Sequence, residues 1–347
     1  MNQYQFNSSR GHKFFLFVLV LTTVVSCTQP VKQTNPFVHD LGEGATPWSF
    51  EPTGRSDSSF TFAIITDLNG GEREGIFDVA VQQISLLQPE FILSVGDLVD
   101  GSEDISEIKK QYGSFDERAA KAKAPVFHVG GNHDLTNNEM RDFWKERYGR
   151  LYYYFIYQNV LFLMLDTEDY DEAFRQKIHA AREEAIAILD GDHPEDYPST
   201  EYFNLPERVT GKIEEEQNAY FEKVIADHPN VKWTFVLMHK PVWQREGEGN
   251  LSRIEAALGS RDYTVINGHF HSYSYTQRNE RDYIMLGTTG GSQNANDPNS
   301  FDHITLVSFD KNGPALANIR MDGLLDKTGR IPLDGEKYCY QASECKE

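Results

Sequence analysis

The sequence predicts an α/β fold built on mixed β-sheet, and three observations predict it. From Phe60 onward, apolar runs of strand length recur at 60–66, 91–95, 125–129, 233–238, 263–266 and 283–286, with helical stretches between them. Two further runs, 152–157 and 160–165, flank Gln158-Asn159 and read as an antiparallel hairpin. The chain then ends in strand-like runs at 303–309 and 315–321. Alternating strands and helices imply crossover connections, while the hairpin and the strand-rich end imply antiparallel pairing as well.

Taken in order, Arg10, His12 and Lys13 precede an apolar run, 14–25, that stops at Ser26-Cys27. A basic segment followed by about a dozen apolar residues reads as a secretory signal, short for a membrane-spanning helix. Val24-Val25-Ser26-Cys27 resembles a bacterial lipobox, with a small residue just before a cysteine that would be cleaved and lipidated. The expectation is an exported bacterial lipoprotein, periplasmic or at the cell surface, with 1–26 as signal peptide and Cys27 as membrane anchor. Residues 27–58, rich in Thr, Pro, Gly and Ser, read as a tether and irregular lead-in.

A single domain is expected over 59–325, followed by a tail, 326–347. Ile76, Ala80, Ile84 and Leu87 recur at helical spacing until Gln88-Pro89 stops that helix. An acidic insertion occupies 168–212. Residues 168–216 hold 15 acids against 5 basic residues, half of the chain's net charge of −20. A helix is expected from Asp171 to Leu189, then a polar segment with prolines, 190–206. Asp190-Gly191-Asp192 with Glu195 and Asp196 lacks EF-hand spacing and reads as a solvated acidic turn.

The 347 residues are 39% hydrophobic and 12% aromatic, enough for a sizeable core. A surface this acidic repels polyanions, so no nucleic acid polymer is expected as a partner. A phosphate-bearing substrate would need concentrated positive charge, such as metal ions. After Cys27 only Cys339 and Cys345 remain, close enough to form a small disulfide loop in an oxidising compartment. No cysteine cluster has zinc-ribbon spacing, so oxygen and nitrogen would hold any metal. His128 and His303 read as packed strand residues, Arg73 as a solvated loop residue with contact to a substrate phosphate as the alternative, and Tyr273 and Tyr275 as packing on a sheet edge with stacking on a base or sugar as the alternative.

Five of the apolar runs lead into polar residues of one kind. In order these are Asp67-Leu68-Asn69, Gly96-Asp97-Leu98-Val99-Asp100, Gly130-Gly131-Asn132-His133-Asp134, His239-Lys240-Pro241 and Gly268-His269-Phe270-His271. Ligands of open α/β sheets bind beyond the carboxyl ends of strands. Carboxylate, amide and imidazole donors suit Mn, Fe, Zn or Mg rather than soft metals.

This ordered series resembles the calcineurin-like metallophosphoesterase superfamily, whose pattern is Asp-x-His, Gly-Asp-x-x-Asp, Gly-Asn-His-Asp/Glu, a lone His, then Gly-His-x-His. The resemblance covers roughly 60–325 and implies two mixed β-sheets packed as a β-sandwich flanked by helices, a four-layer α/β/β/α arrangement with a dinuclear metal centre at one edge. Carried over, Asp97 would bridge two divalent ions. Asp67 and His271, with Asn69 where the family has His, would hold one ion, and Asn132, His239 and His269 the other. His133 would be the catalytic general acid, oriented by Asp100, and Asp134 a backbone cap. An amide at Asn69 is a weaker ligand than imidazole, which tunes that half of the site. Purple acid phosphatases place a ligating Tyr where this chain has Asp100, so a colourless protein is expected.

The resemblance implies hydrolysis of a phosphomonoester or phosphodiester, with a small organic phosphate such as a nucleotide or sugar phosphate preferred. The rival reading is a non-catalytic surface lipoprotein that binds through a degenerate scaffold. A further rival is metal-dependent hydrolysis of a non-phosphate ester; no Gly-x-Ser-x-Gly motif supports a serine mechanism.

Overall fold

The computed structural model describes residues 37–52, 59–343 and 345, so the apolar run at 14–25 and Cys27 lie outside the described residues. Among these residues the strands are β1 (Phe37–His39), β2 (Phe60–Ile65), β3 (Phe91–Ser94), β4 (Val126–His128), β5 (Tyr153–Tyr157), β6 (Val160–Met164), β7 (Trp233–Met238), β8 (Tyr263–Asn267), β9 (Ser274–Arg278), β10 (Arg281–Met285), β11 (His303–Asp310) and β12 (Gly313–Arg320). The helices are α1 (Ile76–Leu87), α2 (Ile105–Ala119), α3 (Asn138–Tyr148), α4 (Glu172–Leu189), α5 (Glu201–Asn204), α6 (Pro206–Thr210), α7 (Glu215–Asp227) and α8 (Ser252–Leu258).

The strands form a five-stranded sheet, β12-β11-β2-β3-β4, and a seven-stranded sheet, β1-β5-β6-β7-β8-β10-β9. Both are mixed. β2, β3 and β4 run parallel with β11 antiparallel to β2, and β6, β7, β8 and β10 run parallel with β5 and β9 antiparallel at their flanks.

The pleat explains how one sequence serves four layers. Phe60, Phe62 and Ile64 point to one side of β2 and pack with Phe155, Phe162 and Phe235 of the other sheet. Ala63 and Ile65 point to the opposite side, against Phe77, Ala80 and Ile84 of α1 and Phe115 of α2. The seven-stranded sheet repeats this, with Leu161, Leu163, Val236 and Met238 against Phe221 of α7 and Ile254 of α8. Central strands covered on both faces read as continuous apolar runs, which is why the sequence showed little alternation there. The aromatic rings between the sheets interlock edge to face; Phe62 and Phe162 lie 5.4 Å apart at 81°. The helix expected at 76–87 ends with Gln88 in a left-handed conformation, its N–H donating to the Ile84 carbonyl.

The structure departs from the sequence reading in three places. The segment expected as tether and lead-in joins the fold at β1, which pairs antiparallel with β5, and Trp48 is buried beside Phe37 and Phe127. Three residues of strand are too short for a periodicity to register. β9 was not expected either, because all five of its residues are exposed and polar or aromatic. It forms through the tight turn at Asn279 and Glu280, both with positive φ. The tail also packs: Ile331 and Tyr340 join the helix-side core, and Cys339 and Cys345 are joined in a disulfide. No helix among the described residues is long and apolar enough to cross a membrane.

Candidate metal centre

The carboxyl ends of β2, β3 and β4 in one sheet and of β7 and β8 in the other open toward the same edge of the sandwich. The loops that follow are tied together by main-chain bonds. Asp67 N donates to Gly96 O (3.1 Å), Thr289 N to Thr66 O (2.8 Å), and Gly268 N to His239 O (3.1 Å). Across the seam, His269 N donates to the Asp67 carboxylate at 3.1 Å.

The turns are sharp enough to force left-handed backbone on side-chain-bearing residues. Asp67, Asp97, His269 and His271 have φ of 50°, 54°, 84° and 52°. Each such residue is strained by about 1–2 kcal/mol, so four of the seven expected ligands are held in place by their surroundings. Glycines make the close approach possible. A Cβ on Gly131 would collide with the Asp97 carboxylate, one on Gly268 with the Asp67 carboxylate, and one on Gly96 would sit 2.5 Å from His239 Nδ1.

The side chains converge in two overlapping groups. Asp67, Asp97 and His239 are all buried and place ligand atoms within 4.8 Å of one another, close enough to hold a metal ion. His239 Nε2 lies 3.2 Å from Asp97 Oδ2 and 3.2 Å from Asn132 Oδ1. His271 Nε2 lies 3.2 Å from Asp67 Oδ1. The ring of His269 stands 5.2 Å from that of His239.

The second nitrogens of these rings test whether the set fits a metal. His239 Nδ1 is bonded to Val95 O at 2.9 Å and His271 Nδ1 to Ser292 O at 2.6 Å, so each has its other nitrogen turned toward carboxylate. His269 is the reverse: Nε2 meets Arg208 O at 2.8 Å, and Nδ1 is buried without a partner. Ligating histidines characteristically spend one nitrogen on a carbonyl and present the other. An orphaned imidazole nitrogen beside buried carboxylates fits a divalent ion well.

The electrostatics agree. Burial would raise the Asp97 carboxyl, but His239 and His133 more than offset it and hold it well below the ordinary range. Burial likewise opposes charge on His239, yet the Asp97 contact pushes it up to about 9. His271 is raised as Asp67 outweighs burial, whereas burial, with His239 and Lys240 nearby, drives His269 well down. The pocket is built to hold positive charge against two carboxylates.

Asn69 is nearly buried, and its amide nitrogen donates to Leu98 O at 2.5 Å, which leaves its carbonyl oxygen as the available donor atom. His133 N donates to Asp97 Oδ1 at 2.9 Å. Asp100 meets His133 through its main chain. His133 Nδ1 is held at 2.9 Å by the main-chain carbonyl of Asp100, and the Asp100 carboxylate instead accepts from Gly70 N at 3.3 Å. The left-handed Asp97 turn brings the backbone of residue 100, rather than its side chain, under the imidazole. Asp134 behaves as a cap: fully buried, it accepts from the N–H groups of Leu98, Val99 and Gly131.

Other residues resolve plainly. Arg73, expected as a solvated loop residue, is instead bonded to the buried Asp302 carboxylate at 2.6 and 2.7 Å and to the carbonyls of Gly291 and Cys339. His128 and His303 are buried strand residues; burial pulls them down to about 3 and about 4. Tyr273 packs on the inter-sheet core as expected, but Tyr275 is 55% exposed. The contribution of Arg208 to the centre was invisible in sequence, because it acts through its carbonyl.

The calcineurin-like phosphoesterase family matches residues 60–273, well over half of the chain. The chain belongs to that family. Among solved structures, the purple acid phosphatase PPD1 of yellow lupin (Lupinus luteus) shares the fold at a TM-score of 0.50 and 13% identity, with 77% of this chain and 52% of that one covered. A putative 5′-nucleotidase from Staphylococcus aureus aligns at 16% identity and TM-score 0.44, covering 80% of this chain and 57% of that one. GAP50, the anchor in the inner membrane complex of Plasmodium, aligns at 15% identity and TM-score 0.48, covering 79% and 87%. No curated protein sequence matches the chain.

Proposed function

We propose that this family member is a dinuclear metal-dependent phosphoesterase that hydrolyses phosphomonoesters or phosphodiesters of small organic molecules, a nucleotide or sugar phosphate by preference. The observation that carries the reading is the buried Asp67–Asp97–His239 group with an orphaned His269 Nδ1 beside it. Asp97 lies between the two halves of the site and would bridge two ions, with Asp67, Asn69 and His271 on one side and Asn132, His239 and His269 on the other. Divalent cations bound there supply Lewis acidity and an activated water at neutral pH.

The chain's own residues do the rest. The carbonyls of Val95, Arg208 and Ser292 orient the three imidazoles, so their inward nitrogens need no reorganisation. Nδ1 of His133 is engaged by Asp100 O, which leaves Nε2 free to hold or deliver a proton at the leaving oxygen. That nitrogen faces the same space as His271: a Cβ on Gly70 would find His271 Cε1 at 3.1 Å and His133 Nε2 at 3.6 Å. Export as a lipoprotein anchored through Cys27 is part of this reading, supported by the N-terminal sequence and by the Cys339–Cys345 disulfide, a bond that persists in oxidising compartments.

Elemental analysis of the purified full chain, with chromogenic mono- and diesters assayed across added Mn, Fe, Zn and Mg, tests the proposal. Near two ions per chain with turnover is expected. One ion or none, and no turnover under any ion, would overturn it in favour of a binding scaffold.

A further inference from the structure

The insertion is acidic in composition, but its helix α4 balances three acids with Arg175, Lys177 and Arg182 and turns basic side chains toward the centre. The acids Glu172, Glu183 and Glu184 are all exposed, whereas Arg175, His179 and Arg182 are half-buried on the inner face with Ile178. Positions 175, 178, 179 and 182 follow the i, i+3, i+4, i+7 spacing of one helix face. That face and Tyr202 of α5 close a slot whose far wall includes Asn132 and Lys240. The slot therefore shares Asn132 with the candidate centre.

The polar side chains of this slot are incompletely bonded. Arg175 is bonded to the Tyr170 carbonyl, and its Nε is buried without a partner. Arg182 reaches the Thr136 hydroxyl at 3.3 Å and approaches Glu183 only to 3.8 Å. His179 Nε2 meets Glu103, a largely exposed side chain, at 3.0 Å, and its Nδ1 is buried without a partner. Among the lining residues Glu168 is the only acid, and Lys240 already pairs with it at 2.7 Å. Buried polar atoms without a partner are costly, so two of the side chains lining the slot have bonding capacity left over.

We infer that Arg175, His179 and Arg182 form a specificity subsite beside Asn132 that receives a second anionic group, carboxylate or phosphate, carried by the substrate. The inference rests on the phosphoesterase reading and narrows its substrate class. The slot is partly open, and its room of about 20 Å³ seats little more than one water-sized group. The slot therefore takes the oxygens of a small anionic group and excludes a base or a sugar ring. Guanidinium groups bind such oxygens by charge-assisted hydrogen bonds.

Calorimetric titration of the full chain with matched ligands decides the matter: glycerol 3-phosphate against 3-phosphoglycerate, and fructose 6-phosphate against fructose 1,6-bisphosphate. In at least one pair the ligand with the second anion is expected to bind at least tenfold more tightly. The first pair reports carboxylate and the second reports phosphate. Arg175→Gln with Arg182→Gln should erase that ratio and leave the affinity for glycerol 3-phosphate within about twofold, while Arg175→Lys with Arg182→Lys should restore part of it. Ratios near one for both pairs in the native protein overturn the inference whether or not the variants fold, as does an equal loss for both members of a pair. Turnover of p-nitrophenyl phosphate, measured alongside, separates the two readings. Turnover without a ratio removes the subsite alone, and a ratio without turnover under any metal removes the phosphoesterase reading alone.

Discussion

Nε2 of His269 lies 2.8 Å from the main-chain carbonyl oxygen of Arg208, so the acidic insertion orients a histidine of the candidate centre. That carbonyl is positioned by α6, which is pinned from outside. Arg245 reaches Glu207 Oε1 at 2.8 Å and Gly211 O at 2.9 Å, and Lys240 Nζ donates to Glu207 O at 3.0 Å. Arg245→Ala should release α6 and weaken metal retention by about 10–100-fold, the usual loss when a ligand's supporting contact goes. Competition with a chelator, read by elemental analysis, measures this; unchanged retention would mean the Arg208 carbonyl is held without help.

Gly131→Ala is the sharpest steric test of Asp97. The added methyl would occupy the position of the Asp97 carboxylate oxygen that also accepts from His133 N–H. Something must move, and displacement of a reacting group by about 1 Å costs on the order of 10²-fold in rate. The variant should fold, lose bound metal and lose activity together.

His133 and Asp100 should separate in kinetics. His133→Ala removes the proton donor but no expected ligand, so it should keep its metal content and lose about 10²–10⁴-fold in rate. Asp100→Asn keeps both the carbonyl that orients His133 and a side-chain oxygen able to accept from Gly70 N. Its loss should stay under about tenfold, an expectation that follows from a backbone rather than a carboxylate contact. A loss as large as that of His133→Ala would restore the carboxylate to the mechanism.

Two buried histidines set an acid limit on stability. His128, packed against Phe115, Trp144 and Tyr148, is held down to about 3 from an ordinary 6.5, and His303, accepting from Gly287 N, to about 4. The unfolded chain takes up protons below about pH 6.5 that the native state refuses. Each histidine's contribution is therefore intact above that pH and is lost as pH falls toward 4 for His303 and 3 for His128, by up to about 1.4 kcal/mol per pH unit. Urea unfolding at pH 7 and pH 5 should show His128→Phe losing about 2 kcal/mol less than the native chain over that interval.

Arg73 and Asp302 form a clamp behind the site. Asp302 is fully buried, and Arg73 joins it to the carbonyls of Gly291 and Cys339. Burial pushes the Asp302 carboxyl up to about 6 even with Arg73 opposing it. Arg73→Ala leaves that buried carboxyl with Gln293 Nε2 at 3.0 Å but without its cation, and should destabilise the fold by about 3 kcal/mol. Replacing both, Arg73→Met with Asp302→Leu, should recover much of the loss in the same urea titrations, as removing a whole buried pair usually does.

The sequence by itself determined the α/β class, most strand positions and the residues of the candidate centre. The reason is physical: strands buried on both faces must be apolar throughout, so each polar residue that ends one is conspicuous. Five such ends, Asp67, Asp97, Asn132, His239 and the His269/His271 pair, meet at one edge because parallel strands deliver their carboxyl ends to the same side. Tertiary structure alone decided what acts through backbone or through distant chain. The carbonyls of Asp100, Arg208 and Ser292 carry no side-chain signature, and the Arg73–Asp302 pair spans positions that no local pattern links. The inward cations of α4 were hidden for a related reason. Composition counts charges, whereas a helix sorts them by face, and only packing against Asn132 and Lys240 tells which face is inside.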